Sequence, residues 1–186
     1  IIAVINSVQA YWSNALRGYE PAKTRFFSGG IQTGCGSATS AMGPFYCPND
    51  GNVYIDLGFF DQLQSEFGAQ GGPLAEAYVL AHEYGHHVQD LTGALRSADR
   101  DTGPQGGQVR LELQADCYAG LWVRNALATG YVEDLTRQDV ADALEELVSL
   151  REQEADAARH EAEKAAIIET RKEEVAKVGP DLQRLG

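Results

Sequence analysis

The 186-residue chain has no run of about 18 apolar residues, the least that spans a bilayer as a helix. It also has no basic cluster. Its 15 lysines and arginines stand against 27 aspartates and glutamates, a formal charge of −12, which argues against nucleic acid or an anionic membrane as partner because phosphates would be repelled. There is no basic n-region followed by an apolar h-region and no initial methionine, so the chain reads as the mature or trimmed soluble part of a protein. Any membrane attachment is then expected only through a segment outside it. Cysteine is scarce, at three residues. Cys35 and Cys47 share one Gly/Pro/Asn-rich stretch, "TGCGSATSAMGPFYCPNDG", with little expected regular structure. A disulfide closing that loop is the economical reading and implies an oxidising, extracytoplasmic compartment; the alternative is two free buried thiols. Cys117 falls within a helical pattern and reads as a small packed residue rather than a nucleophile.

What is present suffices for a core. Hydrophobic residues make up 44% of the chain and several segments are strongly periodic, which marks it as globular. The length fits one domain, or a domain of residues 1–135 with an extension over 136–186. Helical spacing occupies residues 2–16. Strands are expected in "TRFFSG" and "NVYIDLGFF", and a short helix over residues 59–67. A helix should start with Pro73 and run to Thr92, with Gly93 as its stop. After the loop "RSADRDTGPQGGQ", another should cover residues 109–129 and close at Gly130. Residues 136–178 form one long charged helical pattern ended by Gly179 and Pro180, mostly solvated, with a thin alanine seam that could support self-association or a protein partner.

Three of the four histidines and a glutamate crowd into "HEYGHH". At roughly 100° per residue, His82 and His86 project from one helical face about 40° apart and can share one ion. The apolar Leu74, Ala77, Leu80, Ala81, Tyr84, Val88 and Leu91 gather opposite and would anchor the helix. HExxH on a helix joins two imidazole ligands to a carboxylate, Glu83, that can act as general base on a metal-activated water. A catalytic zinc takes a third protein ligand and keeps one position open. In "QVRLELQADCYAGLWV", Glu112 and Asp116 share a face with Ala115, Ala119, Gly120 and Val123, small residues that would let this helix approach the first. The favoured assignment makes Glu112 the third ligand of one Zn²⁺ per chain and Asp116 the acceptor that orients a ligand histidine. The bland alternative is a solvated helix face. An extended peptide would need a sheet edge, for which residues 52–57 are the candidate, although an ordinary core strand explains them equally well. Tyr54, Tyr84, Tyr118 and His87 are conceivable oxyanion donors or substrate contacts, His87 lying four residues after Glu83.

The blocks "GGIQTGCGSATSAMGPFYCPNDGNVYIDLGFFDQL", "AYVLAHEYGHHVQDLTG" and "VRLELQADCYAGLW" resemble, in this order, those of the neutral zinc metallopeptidase family of bacteria. The resemblance covers roughly residues 8–144. It implies a zincin-like α+β fold, mainly helical with a small antiparallel sheet, in which the HExxH helix packs on a helix bearing ExxxD. Carried over by position, it implies ligands His82, His86 and Glu112, base Glu83 and supporting Asp116, acting on a peptide or protein substrate. An export signal or N-terminal anchor is common in the family. The likeness stops after "DALEEL": the family's later block with a His-Gly-Ser-like element is replaced by a charged stretch holding only His160. A zinc-binding but catalytically weak protein that works through its long helix is therefore the second reading, and a purely structural helical protein the third.

Overall fold

The computed structural model describes residues 1–59, 73–98 and 106–131. The helix expected over residues 59–67, apart from Phe59, and the one expected over 136–178 lie outside them, as do His160 and the boundary between 135 and 136. In chain order the described elements are α1 (Ile2–Ala15), β1 (Lys23–Phe27), β2 (Gly30–Thr33), β3 (Gly36–Thr39), β4 (Phe45–Cys47), β5 (Asn52–Asp56), α2 (Pro73–Thr92), α3 (Ala94–Ser97) and α4 (Gly107–Ala128).

Helix α2 has the expected limits, with Gly93 behind it at φ +80°, the left-handed conformation that glycine enters without a Cβ penalty. Helix α4 begins two residues before the expected Val109 and ends at Ala128, one residue short of the expected limit. Two expectations for the β region fail. The sheet expected to be antiparallel is mixed, in the order β1-β5-β4, with β1 parallel and β4 antiparallel to β5. A parallel pair needs a long return connection, which the segment from β2 to β4 supplies. That segment, expected to have little regular structure, holds β4 and the antiparallel β2-β3 hairpin. Its hairpin strands are glycine-rich and mostly exposed, with Ala38 the one buried residue, so main-chain pairing forms them and apolar alternation does not announce them.

Strand β5 is not an edge. It lies between β1 and β4, and Val53, Tyr54, Ile55 and Asp56 are all buried, so the core-strand reading holds and the substrate-edge reading is overturned. The disulfide between Cys35 and Cys47 ties the hairpin end to β4. Beside it, the Asp50 carboxylate accepts from the Gly34 and Asn52 amides and from the Tyr54 hydroxyl at 2.7, 3.1 and 2.8 Å.

The core forms where α2 meets α1, the sheet and α4. Leu80, Ala81, Tyr84 and Val88 are buried on α2, whereas Leu91, expected among them, reaches solvent in the last turn. Tyr84 meets Thr24 of β1 oxygen to oxygen at 2.6 Å. Opposite, a Cβ added at Gly85 would stand 3.0 Å from both the Cα and the carbonyl oxygen of Ala115, so α2 and α4 touch backbone to backbone. The small-residue approach expected on α4 is thus real at the buried Ala115 and Ala119 but absent at exposed Gly120, and the residue that permits it lies on α2. Cys117 is exposed rather than packed, because two residues from Ala115 the helix has turned by roughly 200°.

Candidate metal centre

Two turns of α2 and two of α4 face each other across the Gly85 contact and place His82, His86 and Glu112 in one cluster. The Nε2 atoms of His82 and His86 are 3.1 Å apart, and Glu112 Oε2 lies 3.2 Å from the first and 3.5 Å from the second. A tetrahedral ion with ligand bonds of about 2.0–2.2 Å holds its donor atoms roughly 3.3–3.6 Å apart, so the three separations lie within or just short of what such an ion needs. Two imidazoles and a carboxylate are also a donor set that zinc accepts while keeping a fourth position.

Each imidazole is held from behind. Asp116 Oδ1 lies 2.9 Å from His82 Nδ1, and Gln89 Oε1 lies 2.9 Å from His86 Nδ1. A proton on each Nδ1 leaves both Nε2 lone pairs directed at the shared point. Gln89 is fully buried and its amide nitrogen donates to the Leu111 carbonyl at 2.6 Å and to Gln114 Oε1 at 3.1 Å. Tyr78 donates to the Asp116 carbonyl at 3.0 Å and steadies that turn of α4.

The electrostatics favour a cation. Burial opposes charge on His82, yet hydrogen bonds to Asp116 and Glu112 and the charge of Glu83 outweigh it and push its pKa up to about 10. His86 is likewise raised against the effect of burial, through Glu112 and the charge of Glu83. Burial would raise the Glu112 carboxyl, but the two histidines hold it well below the ordinary carboxylate range. In the metal-free chain, protons shared among these groups supply the positive charge that a metal ion would otherwise bring. Glu83 is buried beside the pair and acts electrostatically on both histidines.

The remaining expected site residues are not gathered here. His87 is buried on the sheet side of α2, with Nε2 donating to the Glu20 carbonyl at 2.7 Å and Nδ1 3.3 Å from the Tyr46 hydroxyl. Burial holds its pKa below the ordinary histidine value. Both nitrogens therefore face the core, and the oxyanion or substrate role expected for His87 finds no geometric support. Tyr54 donates to Asp50 and stacks on Phe45 at 5.0 Å, which ties its hydroxyl to the sheet. Tyr118 packs edge-on against Trp12 at 5.2 Å. Gln89 and Gly85 are the residues that sequence reasoning missed. Gln89 had a signal: it stands three residues after His86 and seven after His82, on the same helical face.

Among curated relatives, uncharacterized proteins Rv2575 of Mycobacterium tuberculosis (strain ATCC 25618 / H37Rv) and Mb2605 of Mycobacterium bovis are each 51% identical over 152 residues, covering 77% of this chain and 52% of the relative. Uncharacterized protein YpfJ of Escherichia coli (strain K12) is 45% identical over 121 residues, 62% of this chain and 42% of its own. The chain thus spans about half the length of the curated relatives it matches. No solved structure matches it significantly. Residues 2–159 match the family model described as "Putative neutral zinc metallopeptidase", and the chain belongs to that family.

Proposed function

We propose that this chain hydrolyses peptide bonds with one zinc ion, in a zincin-like arrangement, on peptide or protein substrates outside the cytoplasm. The observation that carries the reading is the trio of His82 Nε2, His86 Nε2 and Glu112 Oε2 at tetrahedral spacing, with Glu83 beside it. His82, His86 and Glu112 would hold the ion, and Asp116 and Gln89 fix the imidazoles in the required tautomer. Zinc, when bound, polarises a carbonyl and acidifies water. Glu83, held in a nearly dry setting, takes the proton from the attacking water and passes it to the departing amine. The Glu112 carboxylate is half-exposed, which supports access to the cluster from that side. The Cys35–Cys47 disulfide supports the extracytoplasmic placement, since such bonds persist in oxidising compartments. Among the described residues no helix is long and apolar enough to cross a membrane.

The test is elemental analysis of the folded chain together with digestion of casein. About one zinc per chain and cleavage that a chelator abolishes and added zinc restores are expected. A folded chain that retains no zinc would overturn the reading. Zinc retention without cleavage would select the second one, a metal-binding protein with weak turnover. That reading is favoured by one observation: His87, Tyr54 and Tyr84 are all hydrogen-bonded elsewhere.

A further inference from the structure

We propose that Gln89 positions His86 for metal binding, and that the backbone carbonyl of Leu111, one residue before Glu112, dictates how it does so. The inference rests on the zinc reading above and extends it to a residue outside the HExxH and ExxxD patterns.

The hydrogen bonds around Gln89 have one possible direction, because the carbonyl and the amide ends each have only one role open to them. The Leu111 carbonyl can only accept, so at 2.6 Å the nitrogen end of the Gln89 amide must face it. The oxygen end is then the one that lies 2.9 Å from His86 Nδ1, and an amide oxygen can only accept. His86 must therefore carry a proton on Nδ1, so that in the neutral ring Nε2 is the lone pair, directed to the point it shares with His82 Nε2 and Glu112 Oε2. A flipped amide would set oxygen against oxygen at Leu111. Gln89 is fully buried, so water is not at hand to relieve that mismatch.

The two ligand histidines are thus held by different means. Asp116 offers His82 a carboxylate, which accepts a proton from either orientation of its own group. Gln89 offers His86 a neutral amide whose orientation is set by the helix that carries the third ligand. Any loosening of α2 from α4 would then disturb His86 and Glu112 together. Gln114, the other contact of the Gln89 amide nitrogen at 3.1 Å, is itself an amide able to turn, so it follows the arrangement rather than fixing it.

The test uses the whole chain carrying Gln89→Met, which keeps length and loses both ends of the amide, with Gln89→Glu and Gln114→Leu beside it. Zinc affinity is measured by competition with a chromophoric chelator. Nitrogen-15 NMR identifies which ring nitrogen of His86 carries the proton, in zinc-loaded protein and in metal-free protein with neutral His86. For Gln89→Met we expect affinity about 10- to 100-fold weaker, the usual cost of losing a partner behind a ligand histidine, and a metal-free His86 no longer confined to the Nδ1–H form. Gln89→Glu should keep the Nδ1–H form and recover part of the affinity, because a carboxyl protonated in this buried place donates through its hydroxyl to the Leu111 carbonyl and still accepts from Nδ1 through its other oxygen. Gln114→Leu should stay close to the unaltered chain.

A folded Gln89→Met with unchanged affinity and unchanged tautomer would overturn the proposal, since a residue that only fills space would alter stability alone. Should Gln89→Met fail to fold, Gln89→Glu decides: loss of the Nδ1–H form in that variant also overturns it. Absence of zinc from the unaltered chain would instead sink the metal reading, while the tautomer of metal-free His86 would still report on Gln89.

Discussion

The two sides of α2 use the same residue type to opposite ends. Toward α4, His82 and His86 face each other and Glu112, and acidic neighbours raise both pKa values against the pull of burial. Toward the sheet, one residue further along, His87 sits between Glu20 and Tyr46, and burial lowers its pKa. Tyr46 in turn donates to Asp90 at 2.9 Å, and burial followed by that bond raises the tyrosine's pKa well above its ordinary value. Convergent nitrogens and nearby carboxylates make an imidazole a candidate metal ligand on one side; placed against a carbonyl and a phenol on the other, it is a buried packing group. Proximity in sequence decides neither.

The largest expected effects test whether the α4 side is the chemical one. Glu83→Gln keeps size and removes the base, so zinc should stay near one per chain while peptide hydrolysis falls about 10²- to 10⁴-fold. Glu112→Ala leaves two imidazoles, and zinc should be lost on dialysis, with activity lost as a result. Asp116→Ala should lie between, at about 10- to 100-fold weaker affinity. Elemental analysis of the folded variants checks all three. Full zinc retention by Glu112→Ala, or equal zinc loss in Glu83→Gln, would dissolve the division of roles.

The next prediction concerns the sheet side. Replacing Cys35 and Cys47 by serine removes the bond that ties β4, and with it Tyr46, to the hairpin. Stability should fall by about 3 kcal/mol in the chain-entropy model, with zinc stoichiometry kept, as read by denaturant titration in parallel with metal analysis. Loss of zinc from the folded double variant would show that the two sides of α2 are not separable.

A smaller effect is expected at the seam between α2 and α4. Gly85→Ala places a Cβ against the Ala115 backbone, which has no flexible end to move aside. The helices must part slightly, at a cost of about 1–3 kcal/mol typical of overpacking. Zinc affinity should drop with it, because Glu112 retreats from the histidines. Thermal melting with and without zinc separates the two contributions, and an unchanged melting temperature would mean that the contact is looser than its 3.0 Å implies.

The smallest effect is the pH dependence of the metal-free chain. His82 is raised from 6.5 to about 10, so its contribution to stability is complete below 6.5 and is lost as pH rises through about 10. Glu112 is lowered from 4.5, so its contribution is present above 4.5 and is lost as pH falls below it. His87 is lowered from 6.5, so the stability gained from its neutral form is present above 6.5 and is lost as pH falls through its depressed value. NMR titration of the imidazole protons should show His82 still charged at neutral pH and His87 neutral. Matching midpoints for the two would erase the contrast between the sides of α2.

The sequence by itself determined the parts that depend on neighbours along the chain. Pro73 and Gly93 bound α2 because a missing N–H and a left-handed φ are properties of single residues. The spacing of His82 and His86, and of Glu112 and Asp116, follows from helical pitch alone. Tertiary structure decided the rest. That β5 is a central strand, and that the cysteine loop holds a hairpin, depends on ladder hydrogen bonds between segments whose side chains carry little pattern. Packing chose which face of α4 is buried, at Ala115, and helical pitch then turned Cys117 outward; His87 faces in because Glu20 and Tyr46 lie against it, which periodicity in one helix does not encode. Gln89 gains its role only where α4 brings a backbone carbonyl within 2.6 Å of it. A main-chain oxygen has no letter in the sequence, and only packing places it.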